Sequence, residues 1–218
     1  MNINAASVGA TTAVAMPLVV ALDADLSLQA RAIYGYLSML GRDGNPFGIE
    51  RDRVAAATGL SRDPFLDNMK QLLTAGYIVK LKDNTTSRFT SPFYLLPNWP
   101  TKYADAPHRA LTYIEQKAVE GRDIYAPGIC MIPETLYAQP TVPGVAKGFY
   151  IVMLGIAAAN GSNIVQMSDI AEFTGLSSKT RLKYLSLLEN EGLLTRLERL
   201  RVNGKFASSA FEIGRAHV

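Results

Sequence analysis

The sequence predicts a mainly α-helical fold with small β-hairpins (α+β), arranged as two tandem domains of one kind joined by a helical linker. Length is the first observation behind this: 218 residues suit two small domains, each with its own core. The second is an internal repeat, because Thr58-Gly59-Leu60-Ser61 recurs as Thr174-Gly175-Leu176-Ser177 after a shift of 116 residues. The third is how far that one ungapped shift carries. It puts Pro17 on Pro133, Ala30 on Ala146, Tyr34 on Tyr150, Ala55 on Ala171, Leu66 on Leu182, Leu72 on Leu188, Gly76 on Gly192 and Leu81 on Leu197. Arg31 meets Lys147, Ile33 meets Phe149, Val54 meets Ile170, Met69 meets Leu185 and Lys80 meets Arg196, so apolar, glycine and basic positions all stay in register. Such a pattern indicates duplication.

Each copy then reads the same way from its start. Ser27 suits an N-cap, and Ile33, Tyr34, Leu37 and Leu40 follow on one helix face, as Phe149, Tyr150, Met153 and Ile156 do in the second copy. A short second helix spans about Glu50 to Ala57, or Ser168 to Phe173, with Val54-Ala55 or Ile170-Ala171 turned inward. Both helices stop at Thr-Gly, where glycine supplies the positive φ of a reversal and the serine two residues on can cap the next helix. That is a helix-turn-helix. The third helix carries Leu66, Met69, Leu72 and Leu73, or Leu182, Leu185 and Leu188, spaced to pack on the first two, and ends at Gly76 or Gly192. Tyr77-Ile78-Val79 and Phe93-Tyr94-Leu95-Leu96 then suit two strands of a hairpin, as do Leu193-Leu194-Thr195 and Ala210-Phe211-Glu212-Ile213.

Three helices and a hairpin, twice over, resemble the winged helix-turn-helix superfamily across about two thirds of the chain. The resemblance implies two tandem winged-helix domains, at 16–97 and 129–214, with tails at 1–15 and 215–218 and a helical connector at 98–128. Within the connector, Asp105, Pro107, Leu111, Ile114, Ala118 and Gly121 read as a capped amphipathic helix that packs on the domains or dimerises. Ile124 to Pro143 reads as a linker running into the second copy's first strand.

In that superfamily the second helix of the motif enters the DNA major groove and the wing reaches phosphate or the minor groove. The second copy offers Ser177, Ser178, Lys179, Thr180, Arg181, Lys183 and Tyr184 on that helix, with no acid before Glu189, and Arg196, Arg199, Arg201 and Lys205 in the wing against Glu198. The first copy offers Ser61, Arg62, Asn68 and Lys70, with Lys80, Lys82 and Arg88 in or near its wing, but also Asp63 and Asp67, which repel phosphate. The expected partners are therefore double-stranded DNA, a second copy of the chain, and a protein docking on domain 1. Two copies joined head to tail, with unlike recognition helices, suit unlike half-sites or direct repeats.

The remaining features narrow the class. A formal charge of +3 permits an anionic partner without requiring one. One cysteine, Cys130, rules out an internal disulfide, and with only His108 and His217 there is no zinc-type cluster. Cys130 between Ile129 and Met131 reads as a small buried hydrophobe, and the Asp23-Ala24-Asp25 acids read as facing a helix dipole rather than a metal. No phosphate-binding glycine loop and no nucleophile elbow occur, so neither catalysis nor a cofactor is expected. No membrane segment is expected either, and the compartment reads as cytoplasmic. The leading expectation is a sequence-specific regulator of transcription. The alternatives are a plasmid or phage replication initiator on repeated origin sites and a winged-helix interaction subunit of a chromosome-organising complex.

Overall fold

A computed structural model describes residues 13–42, 45–81, 93–96, 128–197, 201–202, 205–206 and 209–213. The fold mixes helices with small antiparallel sheets. The first half runs β1 (Ala13–Pro17), α1 (Leu18–Ala21), α2 (Leu28–Leu40), β2 (Phe47–Gly48), α3 (Arg51–Thr58), α4 (Arg62–Thr74), β3 (Val79–Lys80) and β4 (Phe93–Leu95). The second runs β5 (Ile129–Pro133), α5 (Thr135–Ala138), α6 (Gly144–Ala159), β6 (Ile164–Gln166), α7 (Met167–Thr174), α8 (Ser178–Asn190), β7 (Leu194–Arg196), the short pair β8 (Arg201–Val202) and β9 (Lys205–Phe206), and β10 (Ala210–Ile213). The sequence shift of 116 maps β1 on β5, α3 on α7 and α4 on α8, end for end. The connector helix expected at 105–121, and His108 within it, lie outside the described residues.

Local chemistry explains the boundaries. Ser27 caps α2 by accepting from the Ala30 N–H at 2.9 Å, and Ser177 caps α8 by accepting from the Thr180 N–H at 3.2 Å. Gly59 and Gly175 hold φ of 66° and 60° just after α3 and α7, the left-handed turn that the Thr-Gly pair implies. Thr58 and Thr174 close those helices alike, each hydroxyl donating to the carbonyl four residues back, at 2.7 and 2.8 Å. The expected hairpin strands pair in part as read, Val79 opposite Leu95 and Leu194 opposite Ile213, but Tyr77, Ile78 and Leu193 precede their strands rather than belonging to them. Each sheet gains a third strand that the sequence does not announce, giving the orders β2-β4-β3 and β6-β10-β7.

The larger departure from expectation is how the halves meet. Strand β1, which begins inside the stretch read as a tail, pairs antiparallel with β5, Ala13 opposite Pro133 and Pro17 opposite Ile129. Ala15 stands opposite Met131, its own equivalent under the shift. The ribbon buries Val14, Met16, Cys130 and Ile132 against the helices. Much of the stretch read as a linker is thus core, with Leu136 and Tyr137 of α5 buried as well. Burial also pushes the Cys130 thiol up to about 12.

Beneath the ribbon, α2 packs on α6, and glycines let the backbones close: a Cβ at Gly148 would overlap the Leu28 carbonyl, and one at Gly144 would overlap that of Thr58. Two buried cations then reach across the junction. Arg31 donates to the Phe173 carbonyl at 3.3 Å, at the end of α7, and also to the Asp23 carbonyl. Lys147, its equivalent, donates to the Ala57 carbonyl at 2.6 Å, at the end of α3. Ala57 and Phe173 are themselves equivalent under the shift. Each half thereby satisfies a C-terminal carbonyl of the other's second helix, where a cation also suits the helix dipole. Loss of hydration lowers both pKa values, to about 10 for Arg31 and about 8 for Lys147.

Candidate nucleic-acid interface

The orientation of α4 and α8 follows from their apolar positions. Phe65, Met69 and Leu72 of α4 are buried, at i, i+4 and i+7, and Leu185 and Leu188 hold the matching positions of α8. The opposite face of α8 exposes Ser178, Lys179, Leu182, Lys183 and Ser186. The equivalent face of α4 exposes Arg62, Asp63, Leu66, Asp67 and Lys70. Leu66 and Leu182 were expected to pack inward but are 43% and 42% exposed, because the inward line passes through 65 and 69 and leaves position 66 about 100° away. The two faces therefore share a central leucine and differ in charge: lysines at 179 and 183 stand where aspartates stand at 63 and 67, and Arg62 and Lys70 balance those aspartates on α4.

Several expected contact residues have other duties. Asn68 is buried rather than outward: its side-chain amide donates to the Pro64 carbonyl at 2.5 Å, and its Oδ1 accepts from the Ser27 hydroxyl at the start of α2. Arg181 occupies the position of buried Phe65, and it turns back to donate to the Leu176 carbonyl of the preceding turn. Tyr184 is half-buried with its ring 5.9 Å from Phe149. Ser177 and Thr180 are tied to each other, their hydroxyls 2.8 Å apart, in the cap of α8. Ser61, in contrast, is exposed and makes no capping bond.

The hairpins add further cations. Lys80 is exposed on β3, and Arg196 on β7 lies 3.7 Å from the Glu189 carboxylate with its guanidinium 5.6 Å above the Phe211 ring. Arg201 and Lys205 belong to the β8-β9 pair, Arg201 opposite Phe206 and Val202 opposite Lys205. Lys82, Arg88, Arg199 and Glu198 lie outside the described residues. Of the residues singled out from the sequence, the structure leaves Ser178, Lys179 and Lys183 together on α8, Arg62 and Lys70 on α4, and Ser61 just before α4. What sequence reasoning missed is the leucine at the centre of each face. Taking Phe65 as the inward residue would have exposed it.

The Asp23 carboxyl is also occupied. It is buried, accepts from the Tyr77 hydroxyl at 2.8 Å and from the Asp25 N–H at 2.9 Å, and so braces the first half's core rather than facing a helix dipole. Among the described residues no group of three or more metal-ligating side chains gathers, and no helix is long and apolar enough to cross a membrane. No family model matches the chain, and no curated protein matches it as a relative.

Proposed function

We propose that the protein is a sequence-specific double-stranded DNA-binding regulator of transcription, built from two winged helix-turn-helix domains. The element order of each half supports the domain reading: a helix, a short strand, two helices split by a left-handed turn, then strands completing a three-stranded sheet. One observation carries the function. The exposed face of α8 begins at a capped N-terminus and presents Lys179, Leu182 and Lys183 without an acid, and the neighbouring strand β7 adds the exposed Arg196. Lysines at the start of such a helix can reach guanine O6 and N7 or phosphate, and the leucine offers apolar contact to a thymine methyl.

The test is binding to pooled random duplexes over a salt series, with Lys179→Ala and Lys183→Ala beside the wild type. Affinity for selected sequences is expected to fall steeply with salt, and each substitution is expected to lower the salt slope by about one or to relax preference at one base. Absence of binding at low salt overturns the proposal. A second reading has its own support: Asp63 and Asp67 set two carboxylates beside the exposed Leu66 on α4, with Arg62 and Lys70 at the ends of the face, a mixed-charge, leucine-centred surface that suits a protein partner better than phosphate. A stoichiometric protein complex lost on Leu66→Ala, with DNA binding unchanged, would establish that role for the first half.

A further inference from the structure

Resting on the DNA-binding reading, we infer that one chain takes one duplex whose two half-sites are inverted and unlike, rather than directly repeated. The symmetry of the junction carries this. In the β1-β5 ribbon each residue stands opposite the equivalent of its own mirror: Ala13 faces Pro133, which corresponds to Pro17, and Pro17 faces Ile129, which corresponds to Ala13. Ala15 and Met131 sit on the axis. Below them, Gly35 lies against Ile151, again its own equivalent. The two cross-junction bonds, Arg31 to Phe173 and Lys147 to Ala57, are exchanged by the same operation. Reciprocal contacts of this kind define a two-fold rotation, as in an isologous dimer, whereas a translation would pair non-equivalent surfaces.

A rotation that carries α4 onto α8 presents them to DNA in opposite directions. Two-fold proteins accordingly match inverted half-sites on one duplex. The junction is closely packed, since Met16, Cys130 and Ile132 of the ribbon and Arg31 and Lys147 beneath it are all buried. Direct repeats would require the ribbon and the α2-α6 contact to come apart. The half-sites differ because the two faces do. Lys179 and Lys183 are donors for guanine O6 and N7, whereas Asp63 and Asp67 at the same positions accept from cytosine N4. Leu66 and Leu182 place an apolar contact at the same point of each, suiting a thymine methyl.

The experiment selects duplexes with the full chain from a pool whose random window covers roughly 40 bp, about four helical turns. It then compares four built duplexes: the selected pair, the same pair as direct repeats, the pair with about 5 bp inserted, and a palindrome of the α8 half-site alone. The selected pair is expected to be inverted and to bind one chain, with each of the other three weaker by about tenfold or more. Equal binding to direct repeats, indifference to the half-turn insertion, or an equally tight palindrome overturns the inference while leaving DNA binding intact. Selection of one lone half-site does the same. Failure to select any sequence at low salt sinks the DNA-binding reading itself and this inference with it.

Discussion

Replacing Gly148 by alanine tests the closest backbone approach among the described glycines. A methyl at 148 would overlap the Leu28 carbonyl, and the obstructing atoms are backbone in the first turn of α2, not a side chain that can swing aside. Overpacking a core costs about 1–3 kcal/mol when side chains can adjust. Here a helix must move, so the upper end applies, less the roughly 1 kcal/mol that alanine gains over glycine in a helix. A net loss of about 2 kcal/mol is expected. Two controls separate this from ordinary glycine chemistry. At Gly48 a Cβ meets nothing within 4 Å and φ is unexceptional, so Gly48→Ala should stay within about 0.5 kcal/mol. At Gly192 the space is equally open but φ is 71°, so Gly192→Ala should lose about 1 kcal/mol from backbone strain alone. Urea unfolding followed by far-ultraviolet circular dichroism gives all three. Because the junction joins the two halves, the wild type should unfold in one transition and Gly148→Ala should shift all of it. A Gly148→Ala midpoint at or above wild type would refute the close approach of α2 and α6.

Lys147, with a pKa near 8 against 10.5 for a free lysine, binds fewer protons folded than unfolded between those values. Its penalty on stability is therefore full below about pH 8 and fades as the pH rises toward 10.5, and Lys147→Met should flatten stability between pH 8 and 10. An unchanged pH slope in the variant would show that this lysine is not desolvated. Asn68→Ala removes the acceptor of the Ser27 hydroxyl and should cost about 1–3 kcal/mol in denaturation and, on the proposed DNA-binding function, leave the affinity of the folded protein for duplexes unchanged. A selective loss of DNA affinity would return Asn68 to the interface. Tyr77→Phe leaves the buried Asp23 carboxylate short of one donor and should lose a comparable amount, measured the same way; a loss under about 0.5 kcal/mol would mean that water replaces the hydroxyl.

Most of the repeat's interior was legible in the sequence, and its outer relations were not. The left-handed turns at Gly59 and Gly175 and the caps at Ser27 and Ser177 depend on neighbours within a few residues, so local spacing reveals them. Strands β2 and β6 are only two and three residues long and exist because β4 and β10 lie beside them, which no local pattern records. The ribbon is harder still. Its pairing spans more than half the chain, and its apolar alternation in β1 resembles that of any short hydrophobic stretch. Arg31 and Lys147 were visible as a conservative pair, but a buried cation cannot be told from a surface one until its acceptor carbonyl is known. On α4 and α8 an inward line through Leu66 and one through Phe65 differ by a rotation of about 100°, and the observed line turns Asn68 into the core and Arg181 back onto the preceding turn.

The same symmetry also explains what duplication within one chain permits. In a homodimer any change at the junction or on the recognition helix appears twice, so neither contact can specialise alone. Here Gly144 and Leu28 hold equivalent positions and no longer match. The Thr58-Gly59 turn closes onto Gly144, whereas Gly175 meets nothing, and a cleft of about 330 Å³ opens beside it, lined in part by Leu26, Leu28, Val145, Phe173 and Leu176. The interior has kept its pattern, with Tyr34 and Tyr150, Val54 and Ile170, and Leu72 and Leu188 all buried. On the exposed faces the divergence changes charge, where two aspartates answer two lysines. Conserved inner positions fix where α4 and α8 stand, and only the outward side chains decide what each can touch. If both touch the same duplex, their difference in charge has to appear in its sequence as a difference between half-sites. Were the two faces merely solvated surface, no such pairing would be selected, and the asymmetry would be without consequence for binding.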